Sequence, residues 1–388
     1  MIPDAITRDA PALRAVFEDL HRHPEIGFEE TRTARIVAEK LRAWGVDSVD
    51  EGLGGTGVVG VIRGRGTGNQ AIGLRADMDA LPIQEATDLP YASETPGQMH
   101  ACGHDGHTTM LLGAAKYLSE TRAFDGTAIL IFQPAEEGLG GARRMLAEGL
   151  LERFPVTELY GIHNNPFMEP GTLAICKGRA MAGAQFFDIR IKGRGSHAAM
   201  PQQSRDPIVI AAALISQLQS IVSRNVAPLD TCVVSVTQVH AGAAYNVVPG
   251  GAHLAGTVRY FKDSVRDLAE TRLKGICAGL AAGYDVEIEV DSRNIFDVLE
   301  NDAELSDAYL EAAGDVLGAG QVREVTDPMT GSEDFADMLK SVPGAYAMIG
   351  HGGSAALHNP EFVLGTECLP EGAAVLSRIV ERRLPLSA

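Results

Sequence analysis

Nine consecutive residues, Met99-His100-Ala101-Cys102-Gly103-His104-Asp105-Gly106-His107, gather three imidazoles, a thiol and a carboxylate around two glycines. The run lacks the apolar periodicity of a core element. Thiol and imidazole donors this close together, on backbone that Gly103 and Gly106 leave free to bend, suit a transition metal. A polar loop whose histidines make ordinary hydrogen bonds is the plainer alternative. The density of donors weighs against it.

Further donors fall at the ends of β-like runs. Thr127 to Phe132 is almost continuously apolar, as in a strand buried on both faces of a parallel sheet, and leads into Gln133-Pro134-Ala135-Glu136-Glu137-Gly138. Ligands of open α/β sheets sit at the carboxyl ends of strands. Neighbouring residues there point in different directions, so one carboxylate could hold metal while the other moves a proton. Glu158 to Ile162 ends in the same way on His163-Asn164-Asn165-Pro166. Ala71 to Leu74 runs into Arg75-Ala76-Asp77-Met78-Asp79-Ala80-Leu81-Pro82. Asp77 and Asp79, two apart, point the same way and need a cation or donors to offset them, unless they are simply exposed.

With Leu357-His358-Asn359-Pro360 near the C-terminus, the candidate ligands are Cys102, His104, Glu137, His163 and His358, and Glu136 is left over. Sulfur, imidazole and carboxylate together suit zinc, manganese, cobalt or nickel rather than magnesium or calcium. Five protein ligands exceed what one catalytic tetrahedral zinc with an open position needs, but fit two ions sharing a bridge. A remaining carboxylate beside such a pair is the usual base for activating water.

The elements that must hold these residues form two domains. The chain has 388 residues, 45% hydrophobic and 22% charged, within the range of soluble globular proteins. Its net charge of -18 argues against nucleic acid and requires metal or arginine to reverse the field for any anionic substrate. Helical spacing marks Ala12 to Leu20, Thr31 to Trp44 and Thr108 to Ser119; Pro3 and Pro11 break the chain ahead of the first. The intervening His21-Arg22-His23-Pro24-Glu25 reads as a polar turn, structural or functional. Gly52-Leu53-Gly54-Gly55-Thr56-Gly57 matches the dinucleotide fingerprint as a bare pattern, but a strand follows it where a helix is required, so it is a glycine-rich turn.

From Gly183 the pattern changes to β-α-β-β-α-β, the split βαβ, ferredoxin-like arrangement, with Gln185 to Ile191 as its first strand and Val286 to Val290 as its last. Ala303 to Leu317, Tyr346 to Ile349 and Glu371 to Leu384 then resume the earlier style. The expected fold is therefore a two-domain α/β protein. A mixed-sheet catalytic domain (1–182 and 295–388) carries an inserted α+β domain (183–294). No apolar signal region opens the chain and no segment is expected to span a bilayer. The five cysteines are odd in number and scattered, which points to reduced thiols and a cytoplasmic location, with all but Cys102 as small core residues.

Seven motifs, in order, resemble the amidohydrolase branch of the aminoacylase and carboxypeptidase G superfamily of two-metal peptidases. That branch includes hippurate hydrolases, N-acyl-amino-acid amidohydrolases and plant auxin-conjugate hydrolases. The carriers are the His21 to Glu25, Arg75 to Pro82, Met99 to His107, Gln133 to Glu137, Gly193 to His197, Asn246 to Pro249 and Leu357 to Pro360 stretches. The resemblance covers essentially the whole chain. It implies a metal-binding domain with two divalent ions per subunit and a lid that also dimerises, giving a homodimer or dimer-based tetramer. It assigns Cys102, His104, Glu137, His163 and His358 to metal, Glu136 to acid/base work, and His197 to the oxyanion, reaching the partner subunit's site. The wider superfamily has His where Asp77 stands and a bridging Asp where Cys102 stands. Asp77, Asp79 and His107 are expected to support the ligands, Asp105 to orient them and cap the next helix, and His100 to be structural. Asn246 and Arg259 are candidates for the substrate carboxylate, although Arg259 reads equally as an ordinary strand-face arginine.

The implied reaction cleaves the amide of an N-acyl amino acid, hippurate-like or N-acetyl, to a carboxylic acid and a free amino acid. A dipeptidase or carboxypeptidase of the same superfamily is the alternative. A zinc-dependent dehydrogenase would leave the acidic pair idle, and a purely metal-binding protein would leave Glu136 and His197 without a purpose. A serine esterase built on His351-Gly352-Gly353 lacks any Gly-x-Ser-x-Gly elbow. No nucleic acid or membrane partner is expected.

Overall fold

The computed structural model describes residues 1–353 and 355–386. They divide into two compact units, one of residues 1–180, 300–328, 334–353 and 355–386, the other of residues 181–299 and 329–333. The short 329–333 segment, expected in the catalytic domain, thus belongs with the insert. The Ala182 amide donates to the carbonyls of Met329 and Gly331, each at 3.0 Å.

The first unit is built on an eight-stranded mixed sheet. Its order is Ser48–Leu53, Gly57–Arg63, Thr127–Gln133, Ala71–Asp77, Glu158–Asn165, Gly344–Gly350, Leu173–Cys176 and Val322–Val325. Ala71–Asp77 runs parallel to both neighbours, and Glu158–Asn165 runs parallel to Gly344–Gly350. Four adjacent strands therefore end at one edge, where Asp77, Gln133, His163 and Gly350 lie. Burial on both faces explains their apolar runs: Leu74, Leu130, Phe132 and Ile162 are within 2% of full burial. Helices Asp4–Arg22, His104–Thr121, Ala303–Leu317 and Cys368–Arg383 pack on one another and share this core.

The first helix starts eight residues earlier than its spacing predicts and runs through Pro11. Ile6, two turns ahead of Leu13, is buried on the same stripe as Leu13, Phe17 and Leu20. Pro11 lies on the exposed side, as does Thr7, whose carbonyl loses its helical partner. Residues 52–57 form the tight connection of a β-hairpin, with Gly52, Gly54 and Gly55 at positive φ. Cys232, Cys277 and Cys368 are core residues as expected, but Cys176, at a strand end beside the edge strand, is only half-buried.

The second unit has four antiparallel strands in the order Cys232–Ala241, Gly251–Tyr260, Gly183–Lys192, Glu287–Phe296. Helices Pro207–Ser220 and Asp263–Tyr284 cover one face, burying Ile210, Leu214, Leu218, Leu273 and Leu280 against Phe187, Ile189, Leu254 and Val258. Asp206 caps the first helix by accepting from the Ile208 amide at 2.9 Å, with Pro207 at the first helical position. Contrary to expectation, the stretch Pro207–Asn225 is long and apolar enough to cross a membrane, with a mean hydropathy of 1.3. Its apolar residues on the sheet side are the second unit's core. Ile208 and Val209 are exposed on the other side.

Candidate metal centre

At the carboxyl edge of the large sheet, one helix and three strand ends interlock through buried polar groups. Gly103, at φ +84°, turns the chain into the helix that begins on His104. A Cβ on Gly103 would lie 2.4 Å from Asn164 Nδ2, which donates to the Cys102 carbonyl at 2.6 Å. Only glycine fits this turn.

His104 and His107, on the first turn of that helix, are oriented by the two aspartates. His104 Nδ1 donates to Asp79 Oδ1 at 3.1 Å, which leaves its Nε2 buried with no hydrogen-bond partner. His107 Nδ1 donates to Asp77 Oδ1 at 2.7 Å, and its Nε2 accepts the Asn164 amide and side-chain nitrogens, both at 3.0 Å. Both ring nitrogens of His107 are thereby used, and it braces the site without offering a ligand atom. Asp79 Oδ2 accepts the Glu137 amide at 3.0 Å, so one carboxylate fixes both an imidazole and the acidic turn. His163, still inside its strand, donates Nδ1 to the Asn164 carbonyl at 2.6 Å, and its Nε2 lies 3.6 Å from Cys102 Sγ. His358, half-exposed and at φ +62°, places Nε2 3.2 Å from Glu137 Oε1.

The five expected ligands form two groups of three, Cys102–His104–His163 and Cys102–Glu137–His358. Within each, the donor atoms lie within 4.8 Å of one another, and Cys102 belongs to both. His104 Nε2 is buried without a hydrogen-bond partner, and Glu137 Oε1, also buried and without a well-aligned hydrogen bond, meets the His358 ring at 3.2 Å. A cation in each group would give both atoms a partner, so the residues present fit two ions sharing a thiolate. The electrostatics agree. Burial and the Glu137 charge push the Cys102 thiol up, and Cys102 and Glu137 push His358 up to about 10. Burial opposes a charge on His104, but Asp77 and Cys102 raise it well above the usual imidazole range. This is a hole for positive charge.

Glu136, buried, accepts the Asp334 amide at 3.3 Å. Behind it lies a buried network that sequence reasoning did not resolve. Arg75, only 1% exposed, donates to Gln133 Oε1 at 2.9 Å, Asp77 Oδ2 at 2.8 Å and Asp334 Oδ1 at 3.1 Å. Asp334 also accepts from Gln133 Nε2 at 2.8 Å and from the Ala142 amide at 3.0 Å. The signal available was an arginine at the inner end of an apolar strand, two residues before Asp77. Glu30, fully buried, accepts the Ala135 amide at 2.8 Å and the Thr56 hydroxyl at 2.6 Å. Desolvation pushes its carboxyl up to about 7 against those hydrogen bonds. No sequence pattern pointed to Glu30.

Other expectations are corrected. Asp105 does not orient Cys102 or His104: it accepts the Gly106 amide at 2.8 Å and holds buried His21 Nδ1 at 2.7 Å. His21 also meets Glu85 at 3.4 Å, and these two acids overcome burial to raise it to about 9. Glu25 caps the Thr31–Ala43 helix through the Arg32 and Thr33 amides at 2.9 and 2.8 Å. The His21 to Glu25 motif is therefore scaffold. His100 is buried and kept neutral, with burial pulling its pKa down to about 4. His351 bonds Asn164 Oδ1 and accepts the Gly365 amide, each at 3.1 Å, which leaves it no catalytic nitrogen.

The remaining candidates belong to the second unit. His197 is exposed on a two-residue ladder with Val247–Val248, and the Ala198 amide donates to the Asn246 carbonyl at 3.0 Å, so His197 and Asn246 share one turn pair. Arg259 is half-buried on the Gly251–Tyr260 strand and donates to the Ser332 hydroxyl.

The model of peptidase family M20/M25/M40 matches residues 73–382. A hippurate hydrolase of Campylobacter jejuni is 41% identical over 365 residues, 94% of each chain. An N-acetylcysteine deacetylase of Bacillus subtilis is 42% identical over 352 residues, covering 90% of this chain and 91% of its own. The crystal structure of a Bacillus subtilis protein, described as a dinuclear metal binding peptidase from the M20 family, superposes with a TM-score of 0.81. It is 34% identical, over 98% of this chain and all of its own.

Proposed function

Because the chain belongs to peptidase family M20/M25/M40, we propose that it is a metal-dependent amidohydrolase acting on N-acyl amino acids, hippurate-like or N-acetylated. The observation that carries this reading is the pair of three-donor groups sharing Cys102 beside the buried carboxylate of Glu136. Cys102, His104 and His163 would hold one divalent ion, and Cys102, Glu137 and His358 would hold the other. When bound, such ions lower the pKa of water and polarise an amide carbonyl. Glu136, held by the Asp334 amide, accepts the water's proton as the new C–O bond forms, then delivers it to the departing amine as the C–N bond breaks. His197 steadies the developing oxyanion, and Asn246 and Arg259 receive the α-carboxylate. The native metal is one of zinc, manganese, cobalt or nickel, all compatible with a thiolate, imidazole and carboxylate set.

The test is a hydrolysis panel of hippurate, N-acetyl and longer N-acyl amino acids and dipeptides, each with the four metals and with chelator. Release of free amino acid from N-acyl substrates, abolished by chelator, is the expected outcome. Cleavage of dipeptides alone would transfer the reading to a dipeptidase. Turnover insensitive to chelator would remove it.

A further inference from the structure

The turn that delivers Glu136 and Glu137 is bent by a residue ill suited to bending it. Ala135 has φ +55°, in the left-handed region that residues with a Cβ avoid. That bend returns the chain so that the Gly141 amide reaches the Ala135 carbonyl at 3.0 Å, and the Glu137 amide reaches Asp79 at 3.0 Å. The Ala135 amide itself points at Glu30 Oε1, 2.8 Å away, while Glu30 Oε2 takes the Thr56 hydroxyl at 2.6 Å. Glu30 occupies the N-cap position of the Thr31–Ala43 helix, yet its side chain makes no cap bond there; Glu25 does that work instead. Gly27, in the same segment, lies so close that a Cβ on it would come within 2.9 Å of Ala135 Cα. A fully buried carboxylate is costly to keep, and the helix it begins does not use it.

We propose that Glu30 is a positioning residue that holds Ala135 in its left-handed conformation and so aims Glu136 and Glu137 in their separate directions. The proposal rests on the reading of Glu136 as proton acceptor and Glu137 as ligand. Glu30 acts through the turn, by way of its bond to the Ala135 amide.

Its test compares Glu30→Ala, Glu30→Gln and the double variant Glu30→Ala/Ala135→Gly with Glu136→Gln in the full chain. The measurements are kcat, KM and hydrogen exchange at the Ala135 amide. Glutamine can still accept the Ala135 amide and donate to Thr56, so Glu30→Gln is expected to keep kcat and exchange near native. Glu30→Ala is expected to lose roughly 10- to 100-fold in kcat, as misplaced reacting groups do, with KM little changed and Ala135 exchange accelerated. Glycine adopts positive φ freely, so Ala135→Gly should restore part of that kcat. Should Glu30→Ala fail to fold, Glu30→Asp, too short to reach both partners, is read by the same measurements. Native kcat with unchanged exchange in the Ala or Asp variant would overturn the proposal, as would a Gln variant as impaired as Ala. If Glu136→Gln turns over normally, it is the assignment of the base that fails. Exchange at Ala135 still reports on the Glu30 contact in that case.

Discussion

His104 and His107 lie on one helical turn and face one strand end, yet their roles separate on a single criterion, whether a ring nitrogen is left over. His104 keeps a buried Nε2 without a hydrogen-bond partner, whereas Asn164 uses both the backbone and side chain to occupy the corresponding atom of His107. Type and spacing alone do not make this distinction; the family resemblance drew it, and the neighbouring strand gives its physical reason. The same holds for Glu136 and Glu137, whose different directions were legible but whose partners, Asp334 and Asp79, were not. At this scale, Glu136→Gln should retain its ions while losing roughly 10²–10⁴ in rate, measured by metal content and turnover on the same sample. His21 gives a pH prediction. Its folded pKa of about 9 lies above the unfolded value, so the stabilisation from Asp105 and Glu85 is full below about pH 6.5 and is lost as pH rises through about 9. That amounts to about 3 kcal/mol at most. Thermal melts between pH 6 and 10 should show this loss, and His21→Gln should flatten it.

The elements that place these residues were read largely from periodicity. The strands before Asp77, Glu136 and His163, and all six elements of the insert, follow from apolar runs and alternation. What failed has local causes. Pro11 did not end a helix because it lies on the exposed side, where a lost hydrogen bond costs little. Residues 329–333 joined the insert through backbone hydrogen bonds, which carry no sequence signal. Gly103 shows how tightly one element constrains another, since its positive φ and the nearby Asn164 amide both forbid a Cβ. Gly103→Ala should cost at least about 1–2 kcal/mol from the left-handed backbone alone, and it should also displace the Asn164 side chain that seats His107. A lowered Tm together with weakened retention of metal is expected; a Tm loss with native metal content would show that Asn164 does not govern the site.

On the scale of the whole molecule, a chain of net charge -18 concentrates buried acids, a thiol and imidazoles at one sheet edge, an arrangement that makes sense with cations in place. The exposed His197 belongs to the other unit, and the proposal that it serves a partner subunit's site is tested by mixing two inactive proteins, Glu136→Gln and His197→Ala. Recovered activity is expected; none, despite demonstrated subunit exchange, would confine His197 to its own chain. The central claim, a two-ion amidohydrolase with Glu136 as proton acceptor, is tested most directly by titrating metal into chelated, metal-free protein while hippurate or N-acetyl amino acid hydrolysis is followed. The account predicts no turnover without metal and activity that rises to a plateau at two ions per chain. Hydrolysis that persists in the metal-free protein, or a plateau reached with one ion, would contradict it.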